Sequence, residues 1–215
     1  MAGVSESSLE RALAELRCGG LLAYPTETLF GLGADGRCAT AVERLCHWKG
    51  REPERPLPIL VEGSEALARL GVDLSPLPRT LAEAFWPGPL TLVLYCSESF
   101  APGVAREDGA VGFRCSTHPV AAALARRVAR EGIGPLTATS LNRSGEAPAR
   151  TRSEAARYCD GRPGSPILVD APGAEAGGGT PSSVLDVTGP RPRMLREGAI
   201  SSEEVTAVLE ETRFE

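Results

Sequence analysis

The stretch TLVLYCSESFAPGVAREDGAVGFRCSTHPVAAALARRVAREG, residues 91–132, decides the class of fold. Its ends TLVLYC (91–96) and AVGFRC (110–115) are short apolar runs rich in strand-forming residues. The connection between them is polar, contains Pro and Gly and has no helical period, so the two strands pair antiparallel. PVAAALARRVAREG (119–132) then reads as a helix, opened by Pro119 near its first position and closed by Gly132.

Working outward, strands and helices keep interleaving. Upstream lie a helix over 8–18 with Leu9, Leu13 and Leu16 inward, a strand over 21–25 and a helix over 40–48 with Thr40 as N-cap. A strand over 57–61 and helices over 64–70 and 78–86 follow. Downstream come a strand at 136–140, a helix at 153–159 and a strand at 166–170. Strands 182–187 and 193–196 are joined by a loop, and a helix over 201–211 starts with Ser201 and Glu204 as a capping box. This order predicts an α/β fold with a mixed parallel/antiparallel sheet, in one domain spanning 1–215 with its core over 8–211. The run APGAEAGGGTPS (171–182) is small and Gly-rich, and reads as a mobile loop or lid.

Composition narrows the class further. The chain has 215 residues, 42% hydrophobic and 24% charged, which excludes disorder over its whole length. A net charge of −5 argues against a broad nucleic-acid surface. No apolar run is long enough for a membrane span, and the N-terminus lacks the pattern of a signal peptide. Six cysteines without a C-x-x-C pair or zinc spacing suggest reduced thiols in a cytoplasm. Of 23 basic residues only Lys49 is a lysine, and Asn142 is the only asparagine; there is no glutamine. Such a bias fits a GC-rich genome, in which a surviving Lys or Asn marks either chance or a position that tolerates no substitute.

Several loops at predicted strand ends carry polar chemistry. YPTETLFGLG (24–33) places Thr26 and Thr28 after a strand, either as turn caps or as ligand contacts. KGREPERP (49–56) gathers Lys49, Arg51 and Arg55 near a helix C-terminus, where they either complement the helix dipole or bind phosphate. Arg114 ends an apolar strand and needs an anionic partner, from the protein or from a substrate. TATSLNRSG (137–145) presents Ser140 and Asn142, suited to a turn or to phosphate oxygens. GTPSSVLDV (179–187) offers Ser182, and Arg196 follows the strand RMLR. WPGPLTLVL (86–94) looks architectural. There is no nucleophile–His–acid set and no Walker A sequence. Hydroxyls and guanidinium groups at strand ends suit an enzyme that positions anionic substrates and lets them react.

Taken in order, YPTETLFGLG, KGREPERPLPILV, WPGPLTLVL, VGFRCSTHP, TSLNRSG, GTPSSVLDV and MLREG resemble the YrdC-type threonylcarbamoyl-AMP synthases in the short, single-domain form. The resemblance covers roughly residues 10–200. It implies a twisted sheet around a concave, positively lined cavity. It also implies L-threonine, bicarbonate or CO2 and ATP as substrates, with Mg2+ carried by the ATP phosphates. The product would be threonylcarbamoyl-AMP, used by partner proteins to modify tRNA.

By motif, the resemblance assigns Thr26, Arg114 and Ser182 to threonine, and Lys49, Arg51, Arg55, Ser140, Asn142 and Arg196 to ATP. Lys49 and Arg51 are its catalytic cations. Two departures stand out. Residues 60–62 are Leu-Val-Glu where some members have His, and Leu141 makes the S-x-N segment bulkier beside the adenosine pocket. The alternative expectation is a non-catalytic RNA-binding or ribosome-maturation factor of the same fold, with RNA contact through a local basic patch. A carbamoyltransferase relative is a third.

Overall fold

The computed structural model describes residues 4–51, 55–72, 74–169, 171, 173 and 175–211. Parts of three expectations lie outside these residues: positions 52–54 of the basic segment, Asp170 of the strand over 166–170, and positions 172 and 174 of the Gly-rich run.

The first helix, α1 (Glu6–Arg17), is capped by Ser5, whose hydroxyl accepts from the Ser8 N–H. It buries Leu9, Leu13 and Leu16, the period expected from sequence. Strand β1 (Leu22–Pro25) turns back at once into β2 (Phe30–Gly33), pairing antiparallel from Leu22–Gly33 to Pro25–Phe30. Helix α2 (Ala39–Lys49) closes with Gly50 in the left-handed conformation at φ 64°. Its N-cap is Cys38 rather than Thr40. The Cys38 carbonyl already accepts from Ala41 and Val42, so the cap lies two residues earlier, and the Thr40 hydroxyl lies 3.3 Å from the Cys38 sulfur.

Strand β3 (Ile59–Leu60) precedes α3 (Glu65–Arg69) and α4 (Pro76–Phe85), the latter opened by Pro76. Next come β4 (Leu90–Tyr95), β5 (Ala110–Arg114) and α5 (Pro119–Arg130), the strand–strand–helix unit read from the opening stretch. The His118 ring caps α5, its Nδ1 accepting from the Val120 N–H at 3.2 Å. Burial lowers the His118 pKa, which keeps that nitrogen an acceptor. The remaining elements are β6 (Thr139–Ser140), α6 (Arg152–Tyr158), β7 (Ile167–Leu168), β8 (Ser183–Asp186), β9 (Arg193–Arg196) and α7 (Ser202–Glu211). A reciprocal Thr151–Glu154 capping box starts α6, and Ser201 and Glu204 make the expected one before α7.

The strands form two mixed sheets instead of one. The first runs β6-β2-β1-β7 and the second β3-β5-β4-β8-β9. β4 pairs antiparallel with β5 and β8 with β9, as expected, while β4 and β8 run parallel. Residues 136–138 join the sheets: Leu60 N–H donates to Leu136, Ala138 N–H to Pro58 and Thr137 N–H to Ala34, all at 2.7–2.9 Å. One core packs Leu92, Leu94, Val111 and Phe113 of the second sheet with Phe30, Leu32, Leu45 and Trp48. The other packs α1 and α5 on Leu22 and Tyr24 of β1.

Candidate active site

Strand alternation builds the site. In β4 and β5 the residues Leu92, Leu94, Val111 and Phe113 go to the core, and the intervening Thr91, Val93, Ala110, Gly112 and Arg114 turn the other way. They meet the first sheet across a cavity of ≈ 440 Å³, whose wall includes Tyr24, Thr26, Thr28, Gly31 and Ser140. The size is that of a small-molecule site. Six expected site residues line it: Thr26, Arg51, Arg114, Ser140, Ser182 and Arg196.

Gly31 keeps this cavity open. A Cβ there would stand 2.8 Å from the ring of Tyr24, so no other residue fits without moving that ring. Tyr24 is fully buried and donates its hydroxyl to the Thr137 carbonyl at 3.1 Å; burial pushes its pKa far above the usual tyrosine value.

Thr26 ties its turn and also faces the cavity. Its hydroxyl donates to the Leu29 carbonyl at 2.6 Å and accepts from the Thr28 and Leu29 N–H groups, tying the β1–β2 turn, yet it also lines the cavity. Arg114 finds a protein carboxylate: its Nη2 donates to Glu27 at 2.9 Å, to Thr28 at 2.6 Å and to Thr26 at 3.3 Å. Its Nε is buried with no acceptor among the described residues. The Ser182 hydroxyl lies 3.2 Å from Thr91 Oγ1 and accepts from Arg196 at 3.1 Å.

Arg51 and Arg196 differ from Arg114 in their partners. Arg51 donates to the carbonyls of Arg55 and Pro56, both at 3.1 Å. Arg196 donates to the Ser182 carbonyl at 2.7 and 3.0 Å. Neither has a carboxylate partner among the described residues. Partial burial depresses the pKa of each; Arg55 and Arg196 add repulsion at Arg51, opposed by Cys46, and Arg114 adds it at Arg196. An anion binding between such groups removes that repulsion.

Lys49, Asn142 and Arg55 stand outside the cavity wall. Lys49 is 5% exposed beneath the 140–142 loop. Its ammonium donates to the Ser140 carbonyl, to the Asn142 carbonyl at 3.1 Å and to Asn142 Oδ1 at 2.9 Å. The Ser140 hydroxyl also donates to Asn142 Oδ1, at 2.6 Å. The only lysine and the only asparagine of the chain therefore touch each other. Burial, helped by Arg51, lowers the Lys49 pKa to about 8. Arg55 has an exposed side chain. Leu141, expected beside the adenosine pocket, is instead fully buried in the core, while Thr139 and Ser140 before it line the cavity.

Sequence reasoning missed Arg106, which lies in the polar connection before β5 and also lines the cavity. Its edges are occupied by Asp108, by Asp186 at 2.7 Å and by Thr188 at 3.2 Å. The adjoining acidic residues in REDG were the available signal. The Gly-rich run, expected as a mobile loop or lid, is tied to the β1–β2 turn: Gly177 N–H donates to the Thr26 carbonyl and Gly179 N–H to the Thr28 carbonyl, both at 3.0 Å. Trp86 is architectural, its indole donating to the Leu90 carbonyl at 2.8 Å.

Known proteins share this architecture. The sequence profile described as Telomere recombination, that of Sua5, YciO and YrdC, matches residues 14–198. A Halorhodospira halophila protein named threonylcarbamoyl-AMP synthase is 40% identical over 187 residues, covering 86% of this chain and 92% of its own. A Bacillus subtilis protein of the same name is 35% identical over 95% of this chain, which spans only 57% of that relative's length. The crystal structure of P. abyssi Sua5 complexed with L-threonine superposes with a TM-score of 0.84 at 33% identity, over 95% of this chain and 58% of the other. The chain belongs to the Sua5/YciO/YrdC family.

Proposed function

We propose that the protein is an L-threonylcarbamoyladenylate synthase, a nucleotidyltransferase that joins L-threonine, bicarbonate or CO2 and ATP into threonylcarbamoyl-AMP and pyrophosphate. The observation that carries this reading is one cavity with two kinds of cationic group. Arg114 is charge-balanced by Glu27 and directional, while Arg51 and Arg196 bond only backbone carbonyls and a hydroxyl and have no carboxylate partner among the described residues. The first suits an amino-acid carboxylate, the second a triphosphate. The names of the relatives and the threonine complex of P. abyssi Sua5 support the same assignment.

In this reading the threonine amine adds to CO2, giving a carbamate. A carbamate oxygen attacks the α-phosphorus of ATP, the bond from that phosphorus to the bridging oxygen breaks, and pyrophosphate leaves with the electron pair. Arg114, Thr26 and Ser182 hold threonine. Arg51, Arg196 and Ser140 hold phosphate oxygens and stabilise the charge that grows on the leaving group. Lys49 acts from beneath the Ser140–Asn142 loop, fixing its shape and lending positive charge to the same side, and the exposed Arg55, near enough to repel Arg51, adds a further cation. No covalent enzyme intermediate is needed.

Among the described residues no group of three or more His, Cys, Asp or Glu side chains could hold a metal. The Asn142 oxygens are already engaged by Lys49 and the Ser140 hydroxyl, and of the pair only Ser140 lines the cavity, which fits Mg2+ entering on the triphosphate rather than in a protein cage. Bound there, Mg2+ would neutralise phosphate oxygens. The product would pass to partner proteins that modify tRNA, in a cytoplasm that keeps the six unpaired cysteines reduced. Among the described residues no helix is long and apolar enough to cross a membrane. The test is pyrophosphate release from ATP. It should require threonine, bicarbonate and Mg2+ together, and release without threonine would contradict the proposal.

A further inference from the structure

Glu27 stands between the two cavity threonines in the β1–β2 turn. Its side chain is 16% exposed and both its oxygens are used. Oε1 accepts from Arg114 at 2.9 Å and Oε2 accepts from the Ser116 hydroxyl. Ser116 is fixed in turn by the His118 N–H, which donates to its oxygen at 3.1 Å. Behind the turn, a Cβ on Gly177 would stand 2.3 Å from the Glu27 carbonyl, so the chain at 177 leaves Glu27 no room to retreat.

Among the described residues Arg114 is anchored through one nitrogen alone. Nη2 contacts Glu27, Thr26 and Thr28, whereas the buried Nε has no acceptor among the described residues. A guanidinium pinned at one corner, with the rest of its fork unclaimed, is set in direction but not used up. The carboxylate also cancels most of the net charge of Arg114. A triphosphate seeking net positive charge is therefore drawn to Arg51 and Arg196, while a monoanion needing a directional fork goes to Arg114.

We propose that Glu27, locked by Ser116, is a positioning residue that aims Arg114 at the carboxylate of the amino-acid substrate. The proposal rests on the assignment of Arg114 to that carboxylate made above. It requires an acceptor at the Glu27 position, not its negative charge, for the aim of Arg114.

The test measures threonine affinity by calorimetric titration of the whole protein, together with the KM values for threonine and ATP. Glu27→Ala should weaken threonine binding about tenfold or more and leave the ATP KM within about twofold. Glu27→Gln keeps an acceptor for Nη2 and should restore threonine binding to within about threefold of the unmodified protein. Ser116→Ala keeps the ion pair, cannot be lost to misfolding through an unpaired Arg114, and should weaken threonine about threefold. Unchanged threonine affinity in Glu27→Ala or Ser116→Ala would overturn the proposal. So would an equal loss for ATP, or a Gln variant no better than the Ala variant. If the unmodified protein binds no threonine, the assignment of Arg114 fails and this proposal with it. If it binds threonine and the variants match it, only the role of Glu27 fails.

Discussion

Lys49 shows how much a single side chain can be asked to do from outside a cavity. Its three N–H bonds go to the 140–142 loop, so removing it collapses the acceptors' shared partner and the loop's positive charge together. Lys49→Met should lower kcat/KM for ATP at least a hundredfold, about 2.7 kcal/mol of transition-state stabilisation, while threonine affinity stays close to normal. Steady-state kinetics with each substrate varied in turn check this.

The Lys49 pKa, lowered to about 8 by burial, adds a pH signature. As pH rises through 8 the folded protein loses this charge, so kcat/KM for ATP should fall with an apparent pKa near 8. Stability moves the other way. The unfolded chain keeps this proton up to the ordinary lysine value of 10.5, so this group alone makes folding more favourable as pH climbs from 8 towards 10.5. A flat pH–rate profile from 7 to 9.5 would remove the charge of Lys49 from the account. The pairing of Lys49 with Asn142 was foreshadowed by composition, since each is the sole residue of its type. Its form was not, because distance across a loop is invisible in a one-dimensional count. The composition pointed to phosphate, and the structure places the ammonium behind the 140–142 loop, off the cavity wall.

At the scale of elements, β4 and β5 were readable because their alternation is strict and their branched and aromatic residues are dense. β2 was not read as a strand. FGLG has two glycines in four residues and the weakest strand propensity of any element, and its pairing with β1 comes from a tight turn tied by Thr26. Those glycines are required by Tyr24 and by Leu136, which would stand 2.7 Å from a Cβ at Gly33. Gly31→Ala should destabilise the fold by about 1–3 kcal/mol and cut activity by displacing the Tyr24 ring into the cavity. Urea midpoints with an unchanged slope, measured beside turnover, check both parts.

Arg106 and Asp186 tie the connection before β5 to the end of β8. Burial alone would raise the Asp186 pKa, but hydrogen bonds from Thr188 and Arg106 outweigh it and bring the value to about 2. The unfolded chain takes up this proton near 3.8, so the stabilisation is complete above that pH and is lost as pH falls towards 2. Asp186→Asn should cost about 2 kcal/mol at pH 7 and flatten the stability curve between pH 4 and 2. Denaturant titrations over that range decide it.

At the scale of the molecule, two sheets joined through residues 136–138 hold a cavity whose wall comes from both. The sequence order implied α/β with mixed pairing but not the division into two sheets. That division depends on hydrogen bonds at 136–138 that leave no trace in residue type. The cavity's position explains why site residues come from six separate segments and why no single motif among them was decisive. It also reconciles a net charge of −5 with the proposed anionic substrates: the chain as a whole is acidic, yet Arg51, Arg114 and Arg196 come together in the wall of one cavity.

The central claim is that this cavity joins threonine to the α-phosphate of ATP. The most direct measurement follows pyrophosphate and threonylcarbamoyl-AMP together in a reaction containing the protein, ATP, Mg2+, threonine and bicarbonate. The account predicts the two products in equal amounts, and none when threonine or bicarbonate is left out. Absence of the adenylate, or pyrophosphate formed at the same rate without threonine, would contradict it.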